Sequence, residues 1–484
     1  MTQAAKILIQ LTDLGVRVRR LCADSRRVEQ GDVFVAYPGA HADGRRFMVD
    51  AVARGAAAVL CEPAGAEPLP VLGVPVLPVP QLAAQVGHLA HLVYGRPSEQ
   101  LWLAGVTGTN GKTSVSHFIA QALAELGRPC ALIGTLGNGF PGALVSSPNT
   151  TPDAITLHQA LADYRDQGAR ACAMEVSSIG LDQGRVAGAH FAVAVFTNLT
   201  RDHLEYHGSM DAYAQAKARL FELPGLRAAV LNLDDALGRQ LAQDLRGRLR
   251  TIGYTLEQGS GGTDELLGAT DLELHSGLDF RVNGLPARAA LVGRFNVANL
   301  LAVLGALRAA DIPLDEALAV LPRLRPPAGR MESQGGGRHP LVVVDYAHSP
   351  DALEQALMTL KETARERGGR LICLFGCGGE RDPGKRPLMG AVAERLADRV
   401  VLTSDNPRSE SPEAIIAAIC TGMAATPEIE LDRRRAVRRI VAESAATDVI
   451  LVAGKGHEPY QEIAGVRQPY SDAEQVRLAL ETRS

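Results

Sequence analysis

The stretch Leu101–Thr113 constrains this chain most. An apolar run, Leu101–Val106, leads into a segment with Gly105, Gly108 and Gly111. Lys112 and Thr113 follow, and then a helix is predicted over Ser114–Leu126. A strand, a glycine loop and a helix in that order present backbone N–H groups and a helix N-terminus to an anion. The three glycines are read as positions where a Cβ would block the turn or the ligand's approach. Lys112 supplies a point charge and Thr113 a hydroxyl for Mg²⁺. Five residues separate Gly105 from Gly111 where the usual P-loop has four, so the pattern is a variant. A triphosphate site is the first expectation.

The rest of the chain fits an α/β protein of several domains. Its 484 residues exceed the usual size of one domain. With 50 Lys+Arg against 54 Asp+Glu the net charge is −4, which argues against bulk binding of nucleic acid or anionic membrane. The seven cysteines are scattered, and no second pair or histidine cluster completes a zinc set around Cys373 and Cys377. No secretory leader pattern opens the chain and no long uncharged apolar run occurs, so a cytoplasmic protein is expected.

Three units are predicted. Residues 1–96 contain a strand over Gly31–Tyr37, a helix from about Arg46 to Arg54, a strand Ala57–Cys61 and a helix Gln81–Tyr94. Residues 97–329 alternate apolar strands with helices, which argues for a parallel sheet covered on both faces. Polar clusters follow those strands: Asn149–Asp153, Glu175–Ser178 and Thr197–His207. Glu175, leaving a strongly apolar strand, is the best placed carboxylate for Mg²⁺ of a nucleotide. His203 is either a metal ligand or a loop histidine. Lys217, read alone, is a solvated lysine on a helix. Asn296 and Asn299 share one face of a helix start, where they either meet a base or cap the helix. Residues 330–484 restart with Leu341–His348 and again alternate strands with loops rich in glycine and charge. Arg381, Arg408 and Glu458 lie on such loops. Guanidinium groups fork onto carboxylates and a glutamate answers an ammonium group, so an amino acid suits a pocket built from them.

These loops in this order resemble the Mur ligases of peptidoglycan synthesis, and among them the members that add the third residue of the stem peptide. The resemblance rests on Gly105–Ser114, Asn149–Thr151, Glu175–Ser178, Asn198–His207, Lys217, Gly293–Asn299, Gly329–Glu332, Asp345–His348, Gly376–Arg386, Asp405–Arg408 and Gly454–Glu458. It implies three domains: a Rossmann-like UDP-substrate domain, a central P-loop ATPase-type sheet and a doubly wound C-terminal domain for the amino acid. It also implies that UDP-N-acetylmuramoyl-L-alanyl-D-glutamate, meso-2,6-diaminopimelate and ATP are joined through an acyl phosphate. Nucleic acid and membrane insertion have no part in this, and a monomer is expected.

The resemblance assigns roles by position. Gly108, Thr109, Asn110, Gly111, Lys112, Thr113 and Ser114 would hold the ATP phosphates. Thr113 and Glu175 would bind Mg²⁺, and His203 would stand beside a second Mg²⁺ with Lys217 as its carbamate. Asn299, Arg330 and Asp345 would touch ATP. Ala23, Ser25, Ala40, His41 and Ala42 would meet the uridine end of the substrate. Asn149, Thr150, Thr151, Ser177, Gln183 and Arg185 would meet the muramoyl-peptide. Arg381, Asp405, Asn406, Pro407, Arg408, Gly454 and Glu458 would hold diaminopimelate, with Arg408 pairing the distal carboxylate that lysine lacks. The family often has a histidine where this chain has Ile179, so no histidine role is assigned there. The rival readings are a lysine-adding member, a folylpolyglutamate synthase and a non-catalytic nucleotide-binding regulator. About 96 residues before the phosphate loop argue against the second, and Lys112, Glu175, His203 and Lys217 against the third.

Overall fold

In the computed structural model, residues 2–39, 42–63, 71–257, 262–274, 277–327 and 329–483 are described. The chain forms two compact units. One comprises Met1–Tyr254, Gly259–Leu266 and Gly305–Ile312, the other Thr255–Gln258, Leu267–Leu304 and Pro313–Ser484.

The first unit begins with a four-stranded parallel sheet of Leu21–Cys22, Val33–Ala36, Ala58–Cys61 and Val76–Pro78, in sequence order. Every side chain of the two inner strands is buried, as expected of strands covered on both faces. Helices Gln3–Asp13 and Leu82–Val93 cover one face through Ile7, Leu11, Leu82, Val86 and Leu89. Met48 and Ala51 of the short helix Met48–Ala53 cover the other. That helix starts later than its pattern predicts. Gly44–Phe47 forms a 3₁₀ turn instead, capped by the Asp43 side chain on Arg45 N.

The larger sheet of this unit has a parallel core in the order Arg250–Thr255, Ala228–Asn232, Val193–Phe196, Trp102–Thr107, Ala171–Glu175, Cys130–Gly134. An antiparallel hairpin of Gly137–Phe140 and Ala143–Val145, unmarked in the sequence pattern, extends one edge. The phosphate-loop strand lies between Ala171–Glu175 and Val193–Phe196, so the chain's polar clusters emerge beside it. The expected link near Gly95–Pro97 is short and ordered. Arg96 takes φ +54°, Pro97 opens the helix Pro97–Gln100, and the chain then enters the strand Trp102–Thr107.

The second unit is doubly wound. Its sheet runs Glu332–Gly335, Leu341–Asp345, Val449–Ala453, Leu371–Phe375, Arg399–Leu402, Glu428–Ile429, parallel except for the first strand. Helices Pro350–Glu366, Lys385–Leu396 and Pro412–Cys420 pack Leu353, Leu357, Met389 and Ile416 on one face. Helices Arg433–Glu443 and Asp472–Glu481 pack Val437, Ile440 and Val476 on the other. A separate hairpin, Tyr460–Ile463 with Val466–Pro469, stands outside the sheet. Among the described residues, no helix is long and apolar enough to cross a membrane.

Candidate functional site

Each unit contains one constellation of polar groups at the carboxyl ends of its parallel strands, where ligands of such sheets bind.

In the first unit the strand Trp102–Thr107 runs straight through Gly105. A Cβ there would lie 2.8 Å from the Phe191 ring, so this glycine serves strand packing and not ligand approach, which corrects its expected role. The loop proper starts at Gly108, with φ +144°, where a Cβ would fall 1.9 Å from Thr197 Oγ1. Gly111, with φ +84°, precedes the helix Lys112–Glu125, which starts two residues before its predicted position. The loop is braced by the next strand's end. Asn198 Oδ1 accepts from Asn110 N at 2.9 Å, Asn198 O accepts from Thr109 N at 2.8 Å, and Thr197 Oγ1 donates to Asn110 O at 2.6 Å. Lys112 Nζ donates to the Gly108 and Thr109 carbonyls at 2.8 and 2.9 Å, placing its charge at the loop mouth.

Thr113 stands in the first turn of that helix, and its hydroxyl donates to Glu175 Oε2 at 3.0 Å. Glu175 is buried at the end of its strand. Its carboxylate also accepts from Thr135 N at 2.8 Å and Thr135 Oγ1 at 3.1 Å. Gly134 leaves the room this needs, because a Cβ there would sit 2.3 Å from Glu175 Oε1. Sequence reasoning missed Thr135, whose only sequence signal is its place directly after an apolar strand. A hydroxyl and a carboxylate joined at a phosphate-binding helix start are hard oxygen donors of the kind Mg²⁺ selects.

The predicted muramoyl-peptide residues gather next to Glu175. Thr151 Oγ1 donates to Glu175 O at 2.9 Å and accepts from Ser177 N at 3.0 Å. Thr150 Oγ1 lies 3.0 Å from Thr135 Oγ1. Arg185 donates to Thr151 O at 2.9 Å and to Gln183 Oε1 at 2.7 Å. Ser177 caps the helix Ser178–Asp182. The Asn149 carbonyl accepts from the Ser147 hydroxyl at 3.1 Å. The first sheet's predicted residues are not drawn into this network among the described residues. Ser25 is buried in the 3₁₀ turn Ser25–Arg27, Ala23 and Ala42 are exposed, and Ala40 and His41 lie outside the described residues.

Lys217, on the helix Met210–Ala218, is fully buried, contrary to its solvated reading from sequence. Its amine sits 4.2 Å from the centroid of the Tyr213 ring, and Tyr213 OH is 3.2 Å from Thr109 Oγ1 of the phosphate loop. Burial pulls the Lys217 pKa down to about 6, and the Lys112 charge adds to the shift. The amine is therefore mostly uncharged at neutral pH. His203 takes φ +51° ahead of the turn Leu204–His207, and its ring centroid lies 6.1 Å from that of Tyr213.

In the second unit Asn296 and Asn299 are joined by a hydrogen bond at the start of a helix. Asn296 donates to Val292 O at 2.8 Å and Asn299 to Asn296 Oδ1 at 3.0 Å, both buried at the start of Phe295–Ala309. Asp345 ends its strand and accepts from Met331 N at 2.8 Å, and burial raises its pKa. Arg330 lies 5.8 Å from the Tyr346 ring.

A cavity of about 430 Å³ opens at the strand ends of this unit. It is lined by Arg381, Asp405, Asn406, Arg408, Gly454 and Glu458, all expected there, but not by Pro407. Tyr346, His348, Gly376, Cys377, Gly378, Asp382 and Lys385 complete the wall and were not assigned to it from sequence. Among the described residues neither Arg381 nor Arg408 has a carboxylate partner. Arg408 takes φ +52° and is splinted by the outer hairpin: its N–H donates to Glu462 O at 3.1 Å and its carbonyl accepts from Ala464 N at 2.7 Å. Gly454 has φ +110°, and a Cβ there would come 2.5 Å from Asp405 Oδ2. Burial raises the Asp405 pKa against the opposing pull of Arg433 and Lys455.

Glu458 is not a bare carboxylate. Its Oε2 accepts from Lys455 Nζ at 2.9 Å and from Asn406 Nδ2 at 2.7 Å. Lys455 is fully buried and also donates to Asn406 Oδ1 at 2.9 Å. Lys455 was missed from sequence, although its position three residues before Glu458 was a usable signal.

Models of three consecutive domains match the chain: "Mur ligase family, catalytic domain" over residues 17–94, "Mur ligase middle domain" over 106–307 and "Mur ligase, glutamate ligase domain" over 329–456. A UDP-N-acetylmuramoyl-L-alanyl-D-glutamate--2,6-diaminopimelate ligase of Ectopseudomonas mendocina is 53% identical, covering 98% of this chain and 97% of its own. One of the same name from Chromobacterium violaceum is 54% identical over 97% and 96% of the two chains. A solved structure bearing that name superposes with a TM-score of 0.75 at 40% identity, covering 96% of this chain and 95% of its own.

Proposed function

The chain belongs to the Mur ligase family, and we propose that it is the ATP-dependent member that joins meso-2,6-diaminopimelate to UDP-N-acetylmuramoyl-L-alanyl-D-glutamate in peptidoglycan precursor synthesis. The observation that carries the amino-acid choice is the second unit's cavity. Two guanidinium groups without carboxylate partners among the described residues, Arg381 and Arg408, share its wall with the carboxylates Asp405 and Glu458. Diaminopimelate brings two carboxylates and two amino groups, so its charges answer that wall. Lysine brings one carboxylate fewer and would leave an arginine unpaired, a loss that polar sites punish by about 10⁴ or more.

A carboxylate does not accept an amine directly, because oxide is a poor leaving group. The D-glutamyl side-chain carboxylate attacks the γ-phosphorus of ATP, ADP leaves, and an acyl phosphate forms. The uncharged amine of diaminopimelate then adds to the acyl carbon, and the tetrahedral adduct expels phosphate to leave the amide. Alignment and neutralisation of charge dominate such chemistry. Lys112 and the N–H groups of Gly108–Ser114 take the phosphates. Asn198 and Thr197 hold that loop in shape before ATP arrives. Thr151, Ser177, Gln183 and Arg185 fix the muramoyl-peptide beside it, and Asn299, Arg330 and Asp345 serve ATP. Thr113 and Glu175 would hold Mg²⁺, which supplies neutralisation of phosphate charge when bound.

The uncharged amine of Lys217 suits reaction with CO₂: nitrogen bonds carbon, one proton leaves, and a neutral amine becomes a carbamate anion. With His203 it would hold a second Mg²⁺. The boundaries 1–96, 97–329 and 330–484 are taken as the substrate, ATP and amino-acid domains. A cytoplasmic monomer fits water-borne nucleotide substrates.

An assay offering diaminopimelate and lysine in competition, with the UDP-dipeptide and ATP, tests the reading. Amide formation with diaminopimelate is expected. Preference for lysine would overturn the amino-acid choice, and no substrate-dependent phosphate release would overturn the ligase.

A further inference from the structure

We propose that His91, Glu99 and His190 form a transition-metal site, suited to Zn²⁺, that pins the helix Leu82–Val93 to the segments flanking the phosphate-loop strand. The three residues come from separate elements. His91 lies in the last turn of Leu82–Val93, Glu99 in the short helix Pro97–Gln100, and His190 just before the strand Val193–Phe196. One ligand atom from each lies within 4.8 Å of the others. His91 Nε2 is 3.1 Å and His190 Nε2 is 3.8 Å from Glu99 Oε1. Ligand bonds of about 2.0–2.1 Å in a tetrahedron place neighbouring donor atoms about 3.3 Å apart, so small movements close this set on an ion.

The surroundings hold the donors in place. The His190 N–H donates to the buried Ser98 hydroxyl at 3.0 Å, and Gly225 leaves room beside His190 Nδ1, where a Cβ would sit 2.9 Å away. The His91 and His190 rings stack with centroids 5.1 Å apart. His91 is 6% exposed and its Nδ1 is buried without a partner among the described residues. A metal on Nε2 forces the hydrogen onto Nδ1. The neighbouring His158 ring, 5.2 Å away centroid to centroid, has Nε2 facing the Ala187 carbonyl at 2.9 Å and so keeps Nδ1 as a bare acceptor. The metal-bound tautomer of His91 thus carries its hydrogen on the buried Nδ1.

The donor set selects the ion. Two imidazoles and one carboxylate suit Zn²⁺ or Co²⁺, whereas Mg²⁺ prefers oxygen alone. Glu99 and His190 have side chains 42% and 38% exposed, so water completes the fourth position.

The test uses the full chain, stripped with a chelator and held in excess Mg²⁺ to occupy oxygen sites. It is titrated with Co²⁺ and then Zn²⁺. One equivalent of Co²⁺ with tetrahedral visible bands, displaced by Zn²⁺, is expected. Glu99→Gln and His190→Ala should each weaken binding at least about tenfold, since disturbing even an outer partner of a metal ligand costs that much. Glu175→Gln should keep the bands. Absence of tetrahedral bands, or bands that survive Glu99→Gln, would overturn the proposal. The exposed Glu99 variant decides the matter should the histidine variant fail to fold.

Discussion

Replacing Gly134 by alanine isolates what positions Glu175. Gly134 has no left-handed φ, so alanine costs nothing in backbone strain there. The whole effect comes from one methyl group, placed 2.3 Å from Glu175 Oε1, 2.9 Å from its carboxyl carbon and 3.0 Å from Cγ. Ordinary contact needs about 3.4 Å or more between such atoms, so the carboxylate must retreat by about 1 Å. It is buried and held by Thr113 Oγ1, Thr135 N and Thr135 Oγ1 at 3.0, 2.8 and 3.1 Å, and it cannot move that far and keep all three. A displacement of that size in a catalytic constellation costs about a hundredfold in rate. Gly134→Ala should therefore lower kcat for substrate-dependent phosphate release by about a hundredfold, with unchanged circular dichroism. The Mg²⁺ concentration giving half-maximal rate should rise as well. A folded variant within threefold of the parent kcat, as an order-of-magnitude bound, would refute the assignment of Glu175.

Arg408→Ala should raise KM for diaminopimelate about ten- to a hundredfold, the worth of a charge-assisted hydrogen bond, while KM for ATP stays fixed. An unchanged diaminopimelate KM would count against the pocket reading. Lys217→Ala should lose most ligation and recover part of it with added short carboxylates that replace the carbamate; full activity without them would remove Lys217 from the mechanism. His117, on the phosphate-loop helix, has its pKa lowered by burial from 6.5 to about 4. A depressed folded-state pKa means that the unfolded chain takes up the proton first. Its stabilising share is complete above about pH 6.5 and drains away as pH falls toward about 4. His117→Gln should flatten the fall of the urea midpoint between pH 7 and pH 5, and equal slopes for parent and variant would disprove the linkage.

The sequence was most informative where chemistry and local structure coincide. Gly108–Thr113 carries its own strand, turn and helix, and Glu175 leaves an apolar strand, so both were legible without a partner in view. Arg381, Arg408 and Glu458 were legible for the same reason, each lying on a polar loop that follows an apolar strand, whereas Asp405 and Gly454 came only through the family resemblance. What stayed hidden depends on contacts between distant segments. Lys217 reads alone as a solvated lysine because a lone cation on a helix is usually on its exposed face, although Tyr213, Leu220 and Phe221 at helical spacing mark its face as apolar, and the tertiary packing buries its amine. Thr135 looks like any residue after a strand until the fold sets it against Glu175, 40 positions away. Gly105 was misassigned because a glycine that admits a ligand and one that admits the Phe191 ring read alike. The His91, Glu99 and His190 grouping spans 100 positions with no spacing rule to mark it.

The splint on Arg408 also bears on how amino-acid choice can change hands. The arginine lies on one loop, but the strand-like pairing that holds its unusual backbone comes from Glu462 and Ala464, more than 50 positions on. On the proposed reading of Arg408, preference for the third stem residue is inscribed twice, once as a side chain and once as a hairpin. Transplanting residues 405–408 alone into a lysine-adding relative would move the letter without its binding. Exchange of the whole C-terminal block carries both, so descent should pass the two segments on as a single heritable cassette.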